Sequence, residues 1–267
     1  MSKVILITGG SSGIGKSIGE FLHHKGFIVY GTSRNPEKVI NSVFPLVALD
    51  VRNVESIQTA VAKIIQISGR LDVVINNAGV GITGPLEEIP TSEIKNNFET
   101  NFFGPIEVMK AVLPQMRSQK SGLIINITSI AGYMGLPYRS VYSASKGALE
   151  LITEALRMEV KSMGIQITNV APGDFATNIA SGRFHAPLIP GSDYAVPYGN
   201  TLKMMDEHVD LGSNPNEMAE AVYKIIQTPN PKVHYKVGVF MQKFSIVLKR
   251  ILPDKVYEKM LMNHYKL

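Results

Sequence analysis

Thr8-Gly9-Gly10-Ser11-Ser12-Gly13-Ile14-Gly15 stands between the apolar run Val4-Ile5-Leu6-Ile7 and a segment of helical spacing, Ile14–Lys25. Glycines allow a tight turn and let a phosphate approach the backbone, and a helix N-terminus adds unpaired N–H groups and a positive dipole end. A glycine-rich turn alone is a weak signal. Placed in the first strand–turn–helix unit, it reads as a phosphate cradle. Further short β-rich runs follow at Phe27–Gly31, Phe44–Leu49, Val73–Ile75, Leu123–Ile127 and Ile165–Val170. They are apolar on both faces, as strands read when helices cover both sides of a parallel sheet. Helical spacing recurs between them at Val54–Ser68, Ser92–Gln119, Val141–Met163 and Pro215–Gln227.

This alternation predicts an α/β fold: a three-layer, doubly wound, Rossmann-like parallel sheet flanked by helices. A single domain over 1–238 is expected, followed by a C-terminal amphipathic helical extension over 239–267. Residues 174–213 hold Gly, Pro, His and Tyr with little sustained periodicity, and a stretch that long is usually a functional loop.

Composition narrows the chemistry. Hydrophobic residues make up 45% of the 267 and charged residues 18%, enough apolar material for a large core. There is no cysteine, which excludes a disulfide framework, a thiolate metal site and a cysteine nucleophile. No apolar run reaches the length of a spanning helix, and four apolar residues after Met1-Ser2-Lys3 are too few for a signal peptide, so a cytoplasmic protein is expected. The net charge of +5 is concentrated: residues 232–267 carry eight Lys/Arg against Asp254 and Glu258, leaving the rest at −1. A near-neutral body argues against nucleic-acid binding.

Tyr142 and Lys146 are four residues apart and so share a helix face. A free phenol ionises near pH 10, and an ammonium one turn away favours its charged form. The pair is a candidate acid/base. Tyr133, Tyr138 and Tyr194 have no lysine at that spacing and are given no such role.

Around this pair the motifs fall in a fixed order. Gly9, Gly13 and Gly15 have the spacing T-G-x-x-x-G-x-G. Asp50 follows the third strand, and Asn76-Asn77-Ala78-Gly79 the fourth. Asn101 lies within a helix, Ser129 follows the fifth strand thirteen residues before Tyr142, and Pro172-Gly173 with Thr177 follows the sixth. From residue 8 to 177 the pattern resembles the short-chain dehydrogenase/reductase family. The resemblance implies an oxidoreductase that interconverts a ketone or aldehyde and its alcohol by hydride transfer. It implies Asn101, Ser129, Tyr142 and Lys146 as catalytic residues. Tyr142 would carry the proton, Ser129 would hydrogen-bond the substrate oxygen, Lys146 would also hold the nicotinamide ribose, and Asn101 would hold a water linked to the lysine. The implied cofactor-binding set is Gly9, Ser11, Ser12, Gly13, Ile14, Gly15, Ser33, Arg34, Asp50, Val51, Asn77, Ala78, Gly79, Tyr142, Lys146, Pro172, Gly173 and Thr177. Asp50 would contact adenine. No metal is implied.

The second strand ends in Ser33-Arg34-Asn35, with no acid where a ribose 2′-hydroxyl would be held. Arg34 suits a 2′-phosphate, so NADP(H) is expected over NAD(H). Ser12 stands where many NADP-preferring relatives carry a second basic residue, which tempers the preference.

Residues 178–213 match the family's variable substrate loop. Ile179, Phe184, Leu188, Ile189, Tyr194, Tyr198, Leu202, Met204 and Met205 either meet a bulky apolar substrate or anchor the loop; both readings stand. His185 and His208 either touch substrate or lie at the surface, which is favoured. The tail is split by Pro253 and weakly resembles the 17β-hydroxysteroid and retinol dehydrogenase-like branch. Its basic amphipathic helices either pack on the domain or a partner subunit, which is favoured, or meet a membrane surface. The family implies a homodimer or homotetramer acting on a small-molecule carbonyl or alcohol. A catalytically silent nicotinamide-binding sensor or scaffold is the alternative. A sugar-nucleotide epimerase on the same fold is disfavoured by chain length and glycine spacing.

Overall fold

The computed structural model describes residues 2–175, 182–210 and 212–267, with backbone alone for 206–210. In chain order the elements are β1 (Val4–Ile7), α1 (Gly13–His24), β2 (Ile28–Ser33), β3 (Leu46–Ala48), α2 (Val54–Ser68), β4 (Val73–Asn76), β5 (Ile82–Thr83), α3 (Thr91–Phe98), α4 (Gly104–Gln119), β6 (Gly122–Ile127), α5 (Ser140–Glu159), β7 (Ile165–Pro172), β8 (Phe184–His185), α6 (Ala195–Asp210), α7 (Pro215–Gln227), β9 (His234–Val237), α8 (Phe240–Ile251) and α9 (Asp254–Tyr265).

Seven strands form one parallel sheet in the order β3-β2-β1-β4-β6-β7-β9. Side chains alternate between two apolar layers, as the strand period of two requires. Leu6, Val74, Ile124 and Ile167 face Ile57, Val61 and Ile64 of α2 and Val108 and Val112 of α4. Ile5, Ile7, Ile75 and Ile125 face Ile18 and Leu22 of α1 and Met218, Val222 and Ile225 of α7. Each such side chain contributes about 1.5–3 kcal/mol on burial. A one-residue slip would exchange every layer, so the alternation fixes the register.

The expected fold is present, with three local corrections. The seventh strand, β9, was not anticipated, because its His-Tyr-Lys-Val sequence lies on the sheet edge, half-buried, and lacks a continuous apolar run. The helix expected over Ser92–Gln119 is interrupted by a π-helical turn at Glu99–Phe103, just before Pro105. The irregular stretch 174–213 contains α6 and the short strand β8, which pairs with β5.

The chain winds outward from β1 through β2 to β3, then restarts at β4 and winds the other way. The reversal leaves a crevice at the C-terminal ends of β1 and β4, the usual ligand position in open α/β sheets.

Candidate active site

Thr8 and Asn77 join the two sides of the crevice. The backbone N–H groups of Asn77 and Ala78 both donate to Thr8 Oγ1 at 3.0 Å. Asn77 Nδ2 donates to the Thr8 carbonyl at 3.0 Å and the Gly9 carbonyl at 3.2 Å. The chain turns through Gly9 and Gly13 with φ of 63° and 53°. A Cβ on Gly15 would collide with the Gly9 carbonyl and the Asn77 amide. Ser12 occupies the N-cap of α1 without a side-chain capping bond, and the first turn carries no acidic residue. The leading N–H groups of α1 therefore meet no competing carboxylate. Ser11 and Ile14 border this turn half-buried, and Ile14 lines the pocket beside it. The arrangement suits a diphosphate.

Lys146 and Tyr142 share the inner face of α5, both buried. Lys146 Nζ donates to the Ile127 carbonyl at the end of β6, at 3.0 Å. Burial lowers the Lys146 pKa, with Tyr142 and Glu150 opposing that shift. Ser129 caps the turn after β6, its hydroxyl accepting from the Ala131 N–H at 3.2 Å. Arg139 lies over the Tyr142 ring, 5.3 Å from its centroid. A Cβ on Gly79 would stand 3.2 Å from Asn101 Oδ1 and 3.3 Å from Lys146 Nζ, so Gly79 lets these groups converge.

Asn101 sits in the π-helical turn, fully buried. Its Oδ1 accepts from the Val80 N–H at 2.8 Å, and its Nδ2 donates to the Val80 carbonyl at 2.9 Å. The same Nδ2 lies 3.3 Å from both Asn97 Oδ1 and Ser145 Oγ. The amide thus pins the chain just after Asn77-Ala78-Gly79.

Behind Lys146, one turn along α5, Glu150 is buried among polar groups. Thr128 Oγ1 donates to its Oε1. Tyr133 OH and Asn169 Nδ2 donate to Oε2, each at 3.0 Å. His234 Nδ1 lies 2.8 Å from Oε2, and its Nε2 lies 2.9 Å from Glu154 Oε1. The Glu150 hydrogen bond raises the His234 pKa against a smaller opposing effect of burial. Burial, followed by the Glu150 charge, holds the Tyr133 hydroxyl well above the ordinary phenol range.

At the ends of β2 and β3, Arg34 is exposed and Ser33 half-buried. Asp50 is held by Arg52: Nε lies 3.3 Å from Oδ1 and the terminal nitrogen 3.0 Å from Oδ2. This bond is the main cause lowering the Asp50 pKa, and the Arg34 charge adds in the same direction. Val51 is buried against Gly104.

A cavity of about 510 Å³ adjoins Ser129. Ser129, Pro172 and Gly173 border both this cavity and a pocket of about 60 Å³ that reaches Tyr142 and Ile14. Most of its exposed lining is apolar, with Met134, Met204, Met205, Met241 and Met260 prominent. The far wall is the C-terminal extension. Gln242 of α8 ties it to the Pro172-Gly173 turn, donating to Asp174 Oδ2 at 2.6 Å and accepting from the Asp174 N–H at 3.2 Å. Ile246, Tyr257 and Tyr265 are buried, so one face of α8 and α9 packs on its own domain.

The two readings of the substrate loop divide by residue. Phe184, Tyr198 and Leu202 pack against Ile82, Ile89 and Val141, and so anchor the segment. Met204 and Met205 line the cavity. Tyr194 donates to Glu87, while Leu188 and Ile189 are exposed. His185 is exposed and lies 3.1 Å from Thr83 Oγ1. Thr177, Ile179 and the His208 side chain lie outside the described residues. Sequence reasoning missed Thr8, Arg139 and Glu150 as site residues. Glu150 follows Lys146 by four positions, a signal that was present. Arg139 and the contacts of Thr8 depend on tertiary structure.

The profile of the short chain dehydrogenase family matches residues 3–187. The chain is 43% identical over 264 residues to the 3-ketodihydrosphingosine reductase of Bacteroides thetaiotaomicron, covering 98% of each chain. A solved short-chain dehydrogenase from Streptomyces avermitilis superposes with a TM-score of 0.86 at 31% identity, over 100% of this chain and 97% of that one. The structure of ElxO with NADP bound gives a TM-score of 0.73 at 29% identity, over 89% and 97%.

Proposed function

Since the chain belongs to the short-chain dehydrogenase family and is a nicotinamide-dependent oxidoreductase, we propose that it is an NADP(H)-dependent reductase of a long-chain ketone, of the 3-ketodihydrosphingosine kind. The observation that carries this reading is that Ser129 lines an apolar cavity of about 510 Å³, with Tyr142 in the small adjoining pocket and Lys146 one turn further along α5. Such a volume is ample for an alkyl chain. The name of the Bacteroides relative supports the substrate class, and the absence of an acid beside Arg34 supports NADP(H).

The residues from Gly9 to Gly15 would hold the diphosphate, Arg34 the 2′-phosphate, and Lys146 the nicotinamide ribose. The nicotinamide, when bound, supplies the hydride. Tyr142 donates its phenolic proton to the carbonyl oxygen as negative charge develops there. Ser129, whose Oγ already accepts from Ala131, is free to donate its hydroxyl proton to that same oxygen. Lys146, fixed by the Ile127 carbonyl, stands one helical turn from Tyr142, the group that gives up the proton. The methionine-rich walls hold the alkyl chain and adapt to its shape. Exposed Phe103, Leu151 and Met158 on the outer helices support a homodimer contact along that side.

The test is NADPH oxidation by the full chain with 3-ketodihydrosphingosine, with product identified by mass spectrometry. Turnover is expected with NADPH above NADH, and Tyr142→Phe should lower kcat by about 10²–10⁴. Undiminished turnover by Tyr142→Phe would overturn the mechanism. No turnover by the parent across long-chain ketones, despite NADPH binding, would overturn the substrate class.

A further inference from the structure

We propose that the outer face of α8 and α9 docks on the surface of an anionic lipid bilayer, with the rim of the large cavity turned toward the lipid. Phe240, Phe244, Val247 and Ile251 recur at helical spacing along one stripe of α8, and all four are exposed, Phe240 at 70% and Ile251 at 72%. The Phe240 and Phe244 rings stack with centroids 5.6 Å apart. None of the four belongs to a core cluster, and α8 is held by Ile246 and by Gln242 on its other sides. An exposed apolar stripe of this size marks an interaction site.

Charge selects the partner. Lys243 and Arg250 follow one side of the stripe by helical position, and residues 239–267 carry six Lys/Arg against two acids, a local +4. A basic amphipathic helix with aromatic residues on its apolar face suits an anionic interface. A second copy of the chain fits less well, because a twofold contact through this face would set the basic residues flanking the stripe in one copy against those in the other. Each helix has 12 residues and so spans about 18 Å, which places it along a bilayer rather than across its roughly 30 Å core. Continuity with the cavity is the second observation. Met241 and Met260 line the cavity and are themselves exposed at 67% and 42%, so they form its rim on this side. That the cavity draws its ketone from the bilayer rests on the proposed reductase activity. Docking itself does not.

The test is co-sedimentation of the full chain with vesicles of phosphatidylcholine alone or mixed with phosphatidylglycerol. Binding to the mixed vesicles should exceed that to the neutral ones by about tenfold or more and weaken as salt rises. Phe240→Ser/Phe244→Ser should lose that binding while reducing a short, water-soluble ketone at the parent rate, because neither phenylalanine lines the cavity. No binding to the mixed vesicles, or equal binding by the double variant, would overturn the proposal. So would a dimer in sedimentation velocity that the same substitutions dissociate, which would assign the face to a second copy. Lost vesicle binding with intact ketone reduction strikes only the docking surface. Intact binding with no carbonyl turnover strikes only the proposed activity.

Discussion

Glu150→Ala removes an acceptor shared by four side chains: Thr128, Tyr133, Asn169 and His234. A hydrogen bond to a charged group is worth about 1.5–3 kcal/mol, so the simple sum would be large. The sum overshoots, because all four side chains keep another partner. Thr128 also reaches the Val170 carbonyl, Tyr133 the His234 ring, Asn169 the Glu150 carbonyl, and His234 the Glu154 carboxylate. Breaking a buried charge cluster typically costs 3–5 kcal/mol, and the part-exposed His234 puts this one near about 3. At this chain length that lowers Tm by roughly 6–12 °C. Thermal unfolding followed by circular dichroism measures it. In the double cycle with His234→Gln, a coupling of about 1–3 kcal/mol is expected. The functional consequence concerns Lys146, whose pKa is lowered by burial and supported by Tyr142 and Glu150. In Glu150→Gln, part of that support is gone and burial prevails further. Lys146 then loses its proton at lower pH, and the alkaline limb of the kcat profile moves down. A Glu150→Ala protein melting within about 1 °C of the parent, with the pH profile of Glu150→Gln unchanged, would refute this reasoning.

Arg34→Asp should reverse the nucleotide preference. Loss of one charge-assisted phosphate contact, about 1.5–3 kcal/mol, corresponds to a rise in the NADPH KM of roughly 10–100-fold, with the NADH KM little changed. His234 has a folded pKa above its ordinary value. Its contribution to stability is therefore complete below about pH 6.5 and is lost as pH rises through the folded value. Denaturant titrations should show the advantage of the parent over His234→Gln shrinking as pH rises above about 6.5, and a constant difference would contradict it. Gly15→Ala should abolish the thermal shift given by NADPH, about 2.7 kcal/mol at a hundred times Kd, because the added methyl displaces Asn77 and the Gly9 carbonyl. A full shift in that variant would place the cradle elsewhere.

The central strands were legible because both faces of each are apolar, a pattern that helices and loops rarely share. The pairing of Tyr142 with Lys146 was legible because helical spacing brings them together without tertiary information. β9 was not legible, since an edge strand with His234 and Lys236 half-buried has no uniform pattern. The π-helical turn leaves no periodic trace, yet it holds Asn101 where it can pin Val80. The sequence of the tail fits packing on the domain or on a partner subunit, or contact with a membrane surface. In the structure one face of α8 is committed to packing and the other is left exposed. Periodicity reveals that a helix has two faces, and only the coordinates show which one is covered.

A parallel sheet has two unlike rims. Every residue assigned to the chemistry lies at or beyond the C-terminal ends of the strands. The opposite rim is made of tight turns at Gly26, Gly69, Lys120 and Gly164, all with positive φ. Ser2 hydrogen-bonds the Gly26 carbonyl, so the start of the chain also lies on that rim. Tyr265, near the other end, lines the cavity. An affinity tag, a fluorophore or a surface linkage belongs on the Ser2–Gly26 side, where it leaves the reaction alone. The same attachment after Leu267 would crowd the cavity wall.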